Sequence, residues 1–328
     1  MNRELQNFRG VACVTRAGEL VFTCVQGYAD LVNERVNRLD TRFPIASGSK
    51  GFVAMGILRL IEENRLSLNT RLADAVNFDL HAIDPEVTVE QLLTHTSGVP
   101  DYFDESVMEN YNELWTDFPC YRIRKSSDLL PLFIDKPMMY PRGARFQYNN
   151  TGFVLLGLVI EGVTGMTFDH YLQTALFEPC GMCSTGYFEM DRLPRNCANA
   201  YMWDNVRGEL CSNIFAVDTK GTGAGGAFTT AADMDAFWRG LYEGSVISRE
   251  MLDAAVRLHA GQGAERYGYG LWLSEYGGRL VPSLEGCDPG VCFKSEYLPD
   301  AQTSITVLSN YEDDVWRVHE MLRTEFVP

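Results

Sequence analysis

The sequence predicts an α+β fold in which an antiparallel sheet, built from both chain ends, is flanked by helices and carries an inserted, mainly helical region. Two observations indicate this arrangement. Runs rich in β-branched and aromatic residues lie over 10–25, near the N-terminus, and over 268–310, near the C-terminus. Between them lie longer apolar runs that are typical of buried helices. Strands at both ends with helices between them favour a single sheet closed by the two termini.

The chain is long enough for one large domain or two. It has 328 residues, of which 46% are hydrophobic, and that fraction is ample for a sizeable core. We expect residues 1–70 and 220–328 to form the mixed sheet region and residues 71–219 to form the mainly helical region. The active site is then expected between the two.

The individual elements follow from local patterns. Residues 10–15 and 19–25 predict a β-hairpin, and the run 51–63, apolar on nearly all sides, predicts a buried helix from 47 to about 64. The other predicted elements are helices that begin at 88, 152 and 167, strands over 268–273, 280–284, 291–295 and 303–310, and a final amphipathic helix over 313–324.

The charge balance restricts the partners. Forty-four acidic and 28 basic residues give a net charge of −16, so no basic face for nucleic acid or an anionic membrane can be assembled. No apolar run reaches membrane-spanning length, and residues 1–7 lack the apolar stretch of a signal peptide. We therefore expect a cytoplasmic protein that acts on a small molecule. The oligomeric state is left open.

The cysteines indicate a reducing compartment. There are nine, an odd number scattered along the chain, and we expect them to be free thiols. Cys180 and Cys183 form a C-x-x-C, but no second pair follows at zinc-finger spacing. The five histidines never fall at metal-ligand spacing, so no metal site is predicted.

A hydroxyl and an ammonium stand at the start of the first buried helix, in Ser47-Gly48-Ser49-Lys50. Positions i and i+3 of a helix share a face. A serine becomes nucleophilic when a base takes its proton, and a lysine in apolar surroundings can be that base. The alternative is that Ser47 caps the helix while Lys50 is a solvated residue of its first turn.

A second polar group precedes the next buried helix, in Tyr148-Asn149-Asn150. Tyr148 and Asn150 are two apart, a spacing that can aim a phenol and an amide at one pocket. A lysine ammonium beside Tyr148 would favour the phenolate, which could exchange the proton that Ser47 must lose. The alternative is an ordinary polar turn.

The remaining motifs give weaker evidence about function. No Gly-x-Ser-x-Gly occurs, so an α/β-hydrolase is not predicted. The run 221–226 matches G-x-G-x-x-G, yet it lies outside any βαβ pattern, and we interpret it as a close-packing turn rather than a nucleotide site. His95 could be a base, but a lone histidine at a helix end is more often a packing or capping residue. No cofactor is predicted.

Taken together, these motifs resemble the penicillin-recognising serine hydrolases, the family of class C β-lactamases, D-Ala-D-Ala carboxypeptidases and family VIII-type esterases. Ser47 to Lys50 matches the family's Ser-x-x-Lys, and Tyr148 to Asn150 matches its Tyr-x-Asn. The stretches 92–102 and 177–182 are also similar to those of the esterase-like branch. The resemblance runs from about residue 10 to about residue 310.

The resemblance implies a mechanism. Ser47 would be the acylated nucleophile, Lys50 and Tyr148 would handle its proton, and Asn150 would hold Lys50. The backbone N–H groups of Ser47 and Cys287 would form the oxyanion hole.

The third family motif departs from the pattern. Pro289-Gly290 aligns well and places Leu284, Glu285 and Gly286 where the family has Lys-Thr-Gly or His-x-Gly. Leucine cannot pair with a substrate carboxylate, a contact worth about 1.5–3 kcal/mol, and Glu285 should face the other side of the strand. Lys294, on the adjacent strand, is the one candidate to replace the missing charge.

We therefore predict a serine hydrolase with a Ser47 acyl-enzyme, an esterase, amidase or peptidase acting on small substrates without a carboxylate. One alternative is β-lactamase or D-Ala-D-Ala carboxypeptidase activity. Another is a weak or inactive binding module that has lost its third motif at Leu284. A nucleotide oxidoreductase that uses the glycines of 221–226 is the remaining alternative.

Overall fold

The computed structural model describes residues 5–327. The strands, in chain order, are β1 (Gly10–Arg16), β2 (Glu19–Gln26), β3 (Tyr28–Asp30), β4 (Arg35–Val36), β5 (Phe43–Pro44), β6 (Tyr201–Asp204), β7 (Glu209–Ser212), β8 (Phe228–Thr229), β9 (Trp272–Tyr276), β10 (Arg279–Asp288), β11 (Val291–Leu298) and β12 (Thr303–Ser309).

The α-helices are α1 (Lys50–Glu62), α2 (Leu72–Ala75), α3 (Val89–Leu93), α4 (Asn150–Thr164), α5 (Phe168–Leu172), α6 (Glu178–Cys180), α7 (Ala231–Glu243), α8 (Arg249–Ala255) and α9 (Val315–Phe326). Short 3-10 segments lie at Ala46–Ser49, Tyr111–Trp115, Cys120–Arg122, Ser126–Leu132 and Pro299–Ala301, and a π-helical turn lies at Gln173–Phe177.

A six-stranded antiparallel sheet joins the two ends of the chain. Its strand order is β2-β1-β12-β11-β10-β9, so the first hairpin pairs with the last strand. Strands β10 and β11 form a hairpin in which Asp288 lies opposite Val291. The predicted α+β class and the sheet built from both termini are confirmed.

Helices cover both faces of this sheet. Along β1, Val11 and Cys13 lie in the larger apolar cluster with α1, α4 and α7, whereas Ala12 and Val14 lie in a second cluster with α9. This alternation is the period-2 pattern of a strand that is buried on both faces. The cleft described below opens on the α1 side.

Most predicted elements are confirmed with shifted boundaries. The hairpin over 10–25, the buried helices α1 and α4, strands β10 to β12 and the final helix all lie where expected. The strand predicted over 268–273 is wrong for its first part, because β9 begins only at Trp272. Gly270 adopts a φ of 70°, and a Cβ there would lie 2.2 Å from that of Ala54, so the segment turns against α1 instead of extending.

The predicted helix from 47 also needs correction. Residues Ala46–Ser49 form a 3-10 turn, and the α-helix begins at Lys50. In the predicted helical region, helices alternate with long loops, and the hairpin of β6 and β7 interrupts them.

The division into two regions stays a prediction. A single apolar cluster contains residues of both, from Phe52 in α1 to Phe153 in α4. Residues 1–4 and 328 of the predicted sheet region lie outside the described residues.

A helix that spans a membrane must be both long and apolar. Over residues 5–327, no single helix meets both requirements. The bent pair Asn150–Thr164 and Phe168–Cys180, with 78° between its parts, meets them only when the two parts are taken together.

Candidate active site

Ser47 lies three residues after strand β5, which pairs with β8 in a small two-stranded sheet. Ile45 donates its backbone N–H to the Ala227 carbonyl at 2.9 Å, which anchors the segment just before the 3-10 turn. Ala46 then takes a φ of 46°, in the left-handed region, at a cost of order 1–2 kcal/mol. This strained turn leaves the Ser47 side chain partly exposed at the wall of a cleft.

Lys50 is the buried partner of that hydroxyl. In a 3-10 turn, side chains at i and i+3 eclipse, so Ser47 and Lys50 meet. The Lys50 ammonium donates to Ser47 Oγ at 2.8 Å, to Asn150 Oδ1 at 2.8 Å and to the Ala224 carbonyl at 2.6 Å. All three protons therefore have acceptors. Burial lowers the pKa of Lys50 to about 8, as the sequence predicts for a lysine in apolar surroundings.

Tyr148 lies against the same two groups. Its ring centroid is 4.9 Å from Lys50 Nζ, its hydroxyl interacts with that of Ser47, and its ring stacks on Trp272 at 5.7 Å. Burial raises the pKa of Tyr148 well above its usual value, and the hydrogen bond with Ser47 only partly opposes this shift. The expectation of an easily ionised phenol is therefore wrong, because loss of solvent and the nearby Glu105 carboxylate both favour the neutral phenol.

Asn150 is the first residue of α4, and a buried carboxylate holds this helix start in place. Asp101 accepts the backbone N–H groups of Asn150 at 2.8 Å and Thr151 at 3.0 Å, and also the Thr151 hydroxyl at 3.1 Å. The Asn150 side chain can then accept from Lys50 while it donates to the Phe103 carbonyl at 3.1 Å. Burial raises the pKa of Asp101 to about 7.

His95 lies behind the site. Its Nδ1 accepts the Asn149 backbone N–H at 3.1 Å, and its ring contacts Tyr148, Phe153 and Tyr267 at centroid distances of 4.5, 5.0 and 4.7 Å. Burial holds the pKa of His95 well below its usual value, so the ring is neutral. This placement agrees with the packing interpretation.

The expected third-motif strand passes directly behind Ser47. A Cβ on Gly286 would lie 2.3 Å from the Ile45 carbonyl oxygen and 2.8 Å from Ser47 N, so only glycine fits at this crossing. Strand β9 pairs with β10 only as far as Ser283. The assignment of the Ser47 and Cys287 N–H groups to an oxyanion hole stays a prediction.

The side chains of this strand alternate as expected. Leu284 is buried against Gly51 of α1, whereas Glu285 accepts from Trp316 of α9 at 2.7 Å. Lys294 donates to the same Glu285 carboxylate at 2.8 Å. Lys294 therefore faces α9 and does not replace the missing cation of the third motif.

The glycine-rich run 221–226 packs backbone against backbone. A Cβ on Gly223 would lie 2.1 Å from the Phe153 carbonyl oxygen, and Gly226 donates its N–H to the Ala46 carbonyl at 3.2 Å. The run thereby brings the Ala224 carbonyl to Lys50. This is the close-packing turn that the sequence favours.

A cleft of about 700 Å³ opens in front of Ser47. Its walls include Ser47, Asn150, the 221–226 run, aromatic and apolar residues of 102–111, and the tip of the β10–β11 hairpin. Five lining residues carry carboxyl groups: Glu105, Glu109, Asp218, Asp288 and Glu312. Among the lining residues that the structure describes there is no lysine or arginine.

Two of these carboxyl groups have raised pKa values. Burial raises the pKa of both Asp218 and Asp288 to about 7, and the nearby Asp218 adds to the shift of Asp288. Asp218 accepts the Tyr111 hydroxyl at 3.1 Å. The Lys50 ammonium lowers the pKa of Asp288 and so partly offsets this shift.

Within residues 5–327, no cluster of three His, Cys, Asp or Glu side chains is arranged to hold an ion.

Sequence reasoning missed several residues of the site. Asp101, Trp272 and the Ala224 carbonyl were assigned no role, because each acts on a partner 49 or more positions away. Asp101 does stand in the stretch 92–102 that resembles the esterase-like branch, and that stretch was the one available signal.

Known proteins resemble this chain in sequence and in fold. A family model described as Beta-lactamase matches residues 2–326. Penicillin-binding protein 4* of Bacillus subtilis is 28% identical over 95% of this chain and 70% of its own length. The crystal structure of a penicillin binding protein from Bacillus halodurans has a TM-score of 0.93 and 37% identity, with 97% of each chain covered. A D-stereospecific amidohydrolase from Streptomyces sp. shares the fold, with a TM-score of 0.77 and 22% identity over 97% of this chain and 93% of that one.

Replacement of Asp101 tests how the start of α4 is held. Asp101→Asn puts an NH₂ group where N–H groups need an acceptor, so we expect the free energy of unfolding to fall by about 1–3 kcal/mol. Asp300→Asn is the matched control, because its ion pair with Arg279 is exposed and contributes at most about 1 kcal/mol. Denaturant unfolding at pH 8 measures both, and an equal effect of the two would contradict the role of Asp101.

Proposed function

The chain belongs to the beta-lactamase family, and from this membership we propose that it is a serine hydrolase that cleaves small esters or amides through a Ser47 acyl-enzyme. The single observation that carries the proposal is the contact of the Ser47 hydroxyl with Lys50 Nζ at 2.8 Å, at the wall of an open cleft. A nucleophile within hydrogen-bond reach of a base is the arrangement that acyl transfer requires.

The proton path follows from the contacts. Neutral Lys50 takes the Ser47 proton as Oγ attacks the acyl carbon, and Asn150 and the Ala224 carbonyl keep Nζ in place. Tyr148 stays a phenol, since burial raises its pKa, and it is therefore suited to pass a proton to the leaving group. The backbone N–H groups of Ser47 and Cys287 receive the oxyanion in this proposal.

The substrate is proposed to be neutral or to carry an amine. Leu284 provides no charge for a substrate carboxylate, Lys294 faces α9, and five carboxyl groups line the cleft. An ammonium near Asp218 and Asp288 would relieve the repulsion between these groups. Amino-acid esters and amides with a free amino group combine these properties.

Acylation by penicillin is the second candidate. It is supported by relatives whose names say that they bind penicillin, one of them 37% identical over 97% of both chains. Penicillins carry a carboxylate, and the lack of a third-motif cation to pair with it weighs against their efficient turnover. An inactive binding module is not favoured, because Ser47, Lys50 and Asn150 remain in contact.

Covalent labelling of Ser47 tests the proposal directly. We expect a fluorophosphonate to add one probe to each native chain and none to Ser47→Ala, with the adduct mapped by peptide mass. Ser67→Ala, which changes an exposed serine away from the cleft, is the matched control and should label normally. Turnover of a p-nitrophenyl ester should fall roughly a thousand-fold in Ser47→Ala. An unlabelled native protein without Ser47-dependent turnover would end the hydrolase proposal.

The pH dependence tests the role of Lys50. Burial lowers its pKa to about 8, so the neutral, basic form is scarce below that pH and predominates above it. We therefore expect kcat/KM for a neutral ester to rise through a midpoint near pH 8, between about pH 6 and about pH 10. Lys50→Arg should be slow at every pH and show no such midpoint. A flat profile, or one that falls with pH, would contradict Lys50 as the base.

Substrate charge tests the acidic cleft. We expect kcat/KM to be about ten-fold higher for a p-nitroanilide of a free amino acid than for its N-acetyl form, and lower again for the N-succinyl form. The double variant Asp218→Asn, Asp288→Asn should narrow these ratios, whereas the exposed Asp253→Asn should not. If the N-succinyl compound were the best substrate, the charge argument would be wrong.

A further inference from the structure

Two thiols meet at the mouth of the cleft. In the β10–β11 hairpin, Cys287 lies directly opposite Cys292, and their sulfur atoms are 3.1 Å apart. The loop Pro289-Gly290, with Gly290 at a φ of 75°, matches the proline and glycine positions of a type II turn and holds this register. The contact is therefore built into the hairpin.

The two thiols have different surroundings. Cys287 is exposed and lines the cleft, whereas Cys292 is 4% exposed and belongs to the apolar cluster beneath α9. The hydrogen bond from Cys292 lowers the pKa of Cys287, although partial loss of solvent around its sulfur and the nearby carboxylates of Asp288, Glu312 and Glu105 oppose this shift. The same contact, together with burial, raises the pKa of Cys292. The Cys287 sulfur is thus suited to react with a solute, and the buried Cys292 sulfur is in contact with it.

No comparable pair occurs elsewhere. All nine cysteines lie within residues 5–327, and among these residues Cys287 and Cys292 form the one hydrogen bond between two thiols. Cys183 is exposed like Cys287 but has no thiol partner there. Cys183 therefore serves as the internal control, because it is an exposed thiol without a second thiol beside it.

We propose that Cys287 and Cys292 are a redox-active pair that closes to a disulfide with a hydroperoxide as oxidant. The Cys287 thiolate attacks the peroxide O–O bond, which breaks to give a sulfenic acid and, with one proton, water or an alcohol. The Cys292 sulfur then attacks the sulfenic sulfur, and the sulfenic oxygen leaves as one water that takes up the Cys292 thiol proton. Two thiols lose two electrons and two protons in total, and the peroxide is reduced by two electrons.

Closure needs little movement. Residues directly opposite each other in an antiparallel pair have Cα atoms about 4.5–5.5 Å apart, inside the range of about 4.4–6.8 Å that disulfides span. The sulfur atoms must approach by about 1 Å to reach a bond of about 2.05 Å. This small step favours closure within one chain over a link between chains.

The test is peptide mass after oxidation of the native chain. The protein is treated with hydrogen peroxide, quenched with catalase, alkylated with iodoacetamide under denaturing conditions and digested with trypsin. Both cysteines lie in one peptide, 280–294, between Arg279 and Lys294. We expect this peptide to lose two hydrogen atoms and take no label, and dithiothreitol should restore both labels.

Two variants sharpen the test. Cys292→Ala should stop at the Cys287 sulfenic acid, which dimedone traps, and Cys183→Ala should close the pair normally. The proposal is overturned if Cys287 and Cys292 are both alkylated at a peroxide dose that oxidises Cys183. It is equally overturned if oxidation links two chains through Cys287 instead of Cys287 to Cys292.

A consequence for catalysis rests on the proposed function. Cys287 also carries the proposed oxyanion N–H, and displacement of such a group by about 1 Å can slow a reaction up to about a hundred-fold. We expect the oxidised protein to hydrolyse a p-nitrophenyl ester roughly ten-fold or more slowly, with recovery in dithiothreitol. A closed disulfide with an unchanged rate would overturn this consequence, while the mass result would still establish the pair. Absence of Ser47-dependent turnover in the reduced protein would count against the proposed function only.

Discussion

The ammonium group of Lys50 is buried, and it donates to three acceptors that come from separate parts of the chain. A buried charge without such partners would cost several kcal/mol, so the fold must deliver all of them together. Ser47 is local, but Asn150 is 100 positions away and Ala224 is 174 positions away. The need to satisfy this one group links the helix start, the glycine-rich run and α4 into one site.

The supporting structure explains how that need is met. Asp101 fixes the first turn of α4, and the bare backbone of Gly223 and Gly226 lets the 221–226 run approach α4 and the Ser47 turn. Gly286 lets strand β10 pass behind Ser47 at a distance that no side chain would permit. Close backbone contacts thus fix the positions of Ser47 and Lys50. Catalysis that depends on precisely placed groups requires such fixed positions.

The described walls of the cleft carry acidic side chains and no basic ones. By the resemblance drawn from the sequence, Leu284 takes the place of the family's cation or imidazole, Lys294 pairs with Glu285 on the other face of the sheet, and carboxyl groups line the opening. These features leave the Ser47–Lys50 contact intact while they alter what the cleft can receive. The thiol pair at the hairpin tip adds a second chemistry to the same opening, independent of the hydroxyl.

The sequence by itself determined the parts of the protein that depend on spacing along the chain. These parts are the contact of Ser47 with Lys50, the alternation of Leu284 and Glu285, and the antiparallel sheet with its hairpins. Only the tertiary structure decided what depends on neighbours distant in sequence: that Tyr148 is too buried to ionise easily, that Lys294 pairs with Glu285, and that Asp101 holds α4. The physical reason is that burial and long-range hydrogen bonds arise from the packing of separate segments, which no local pattern encodes.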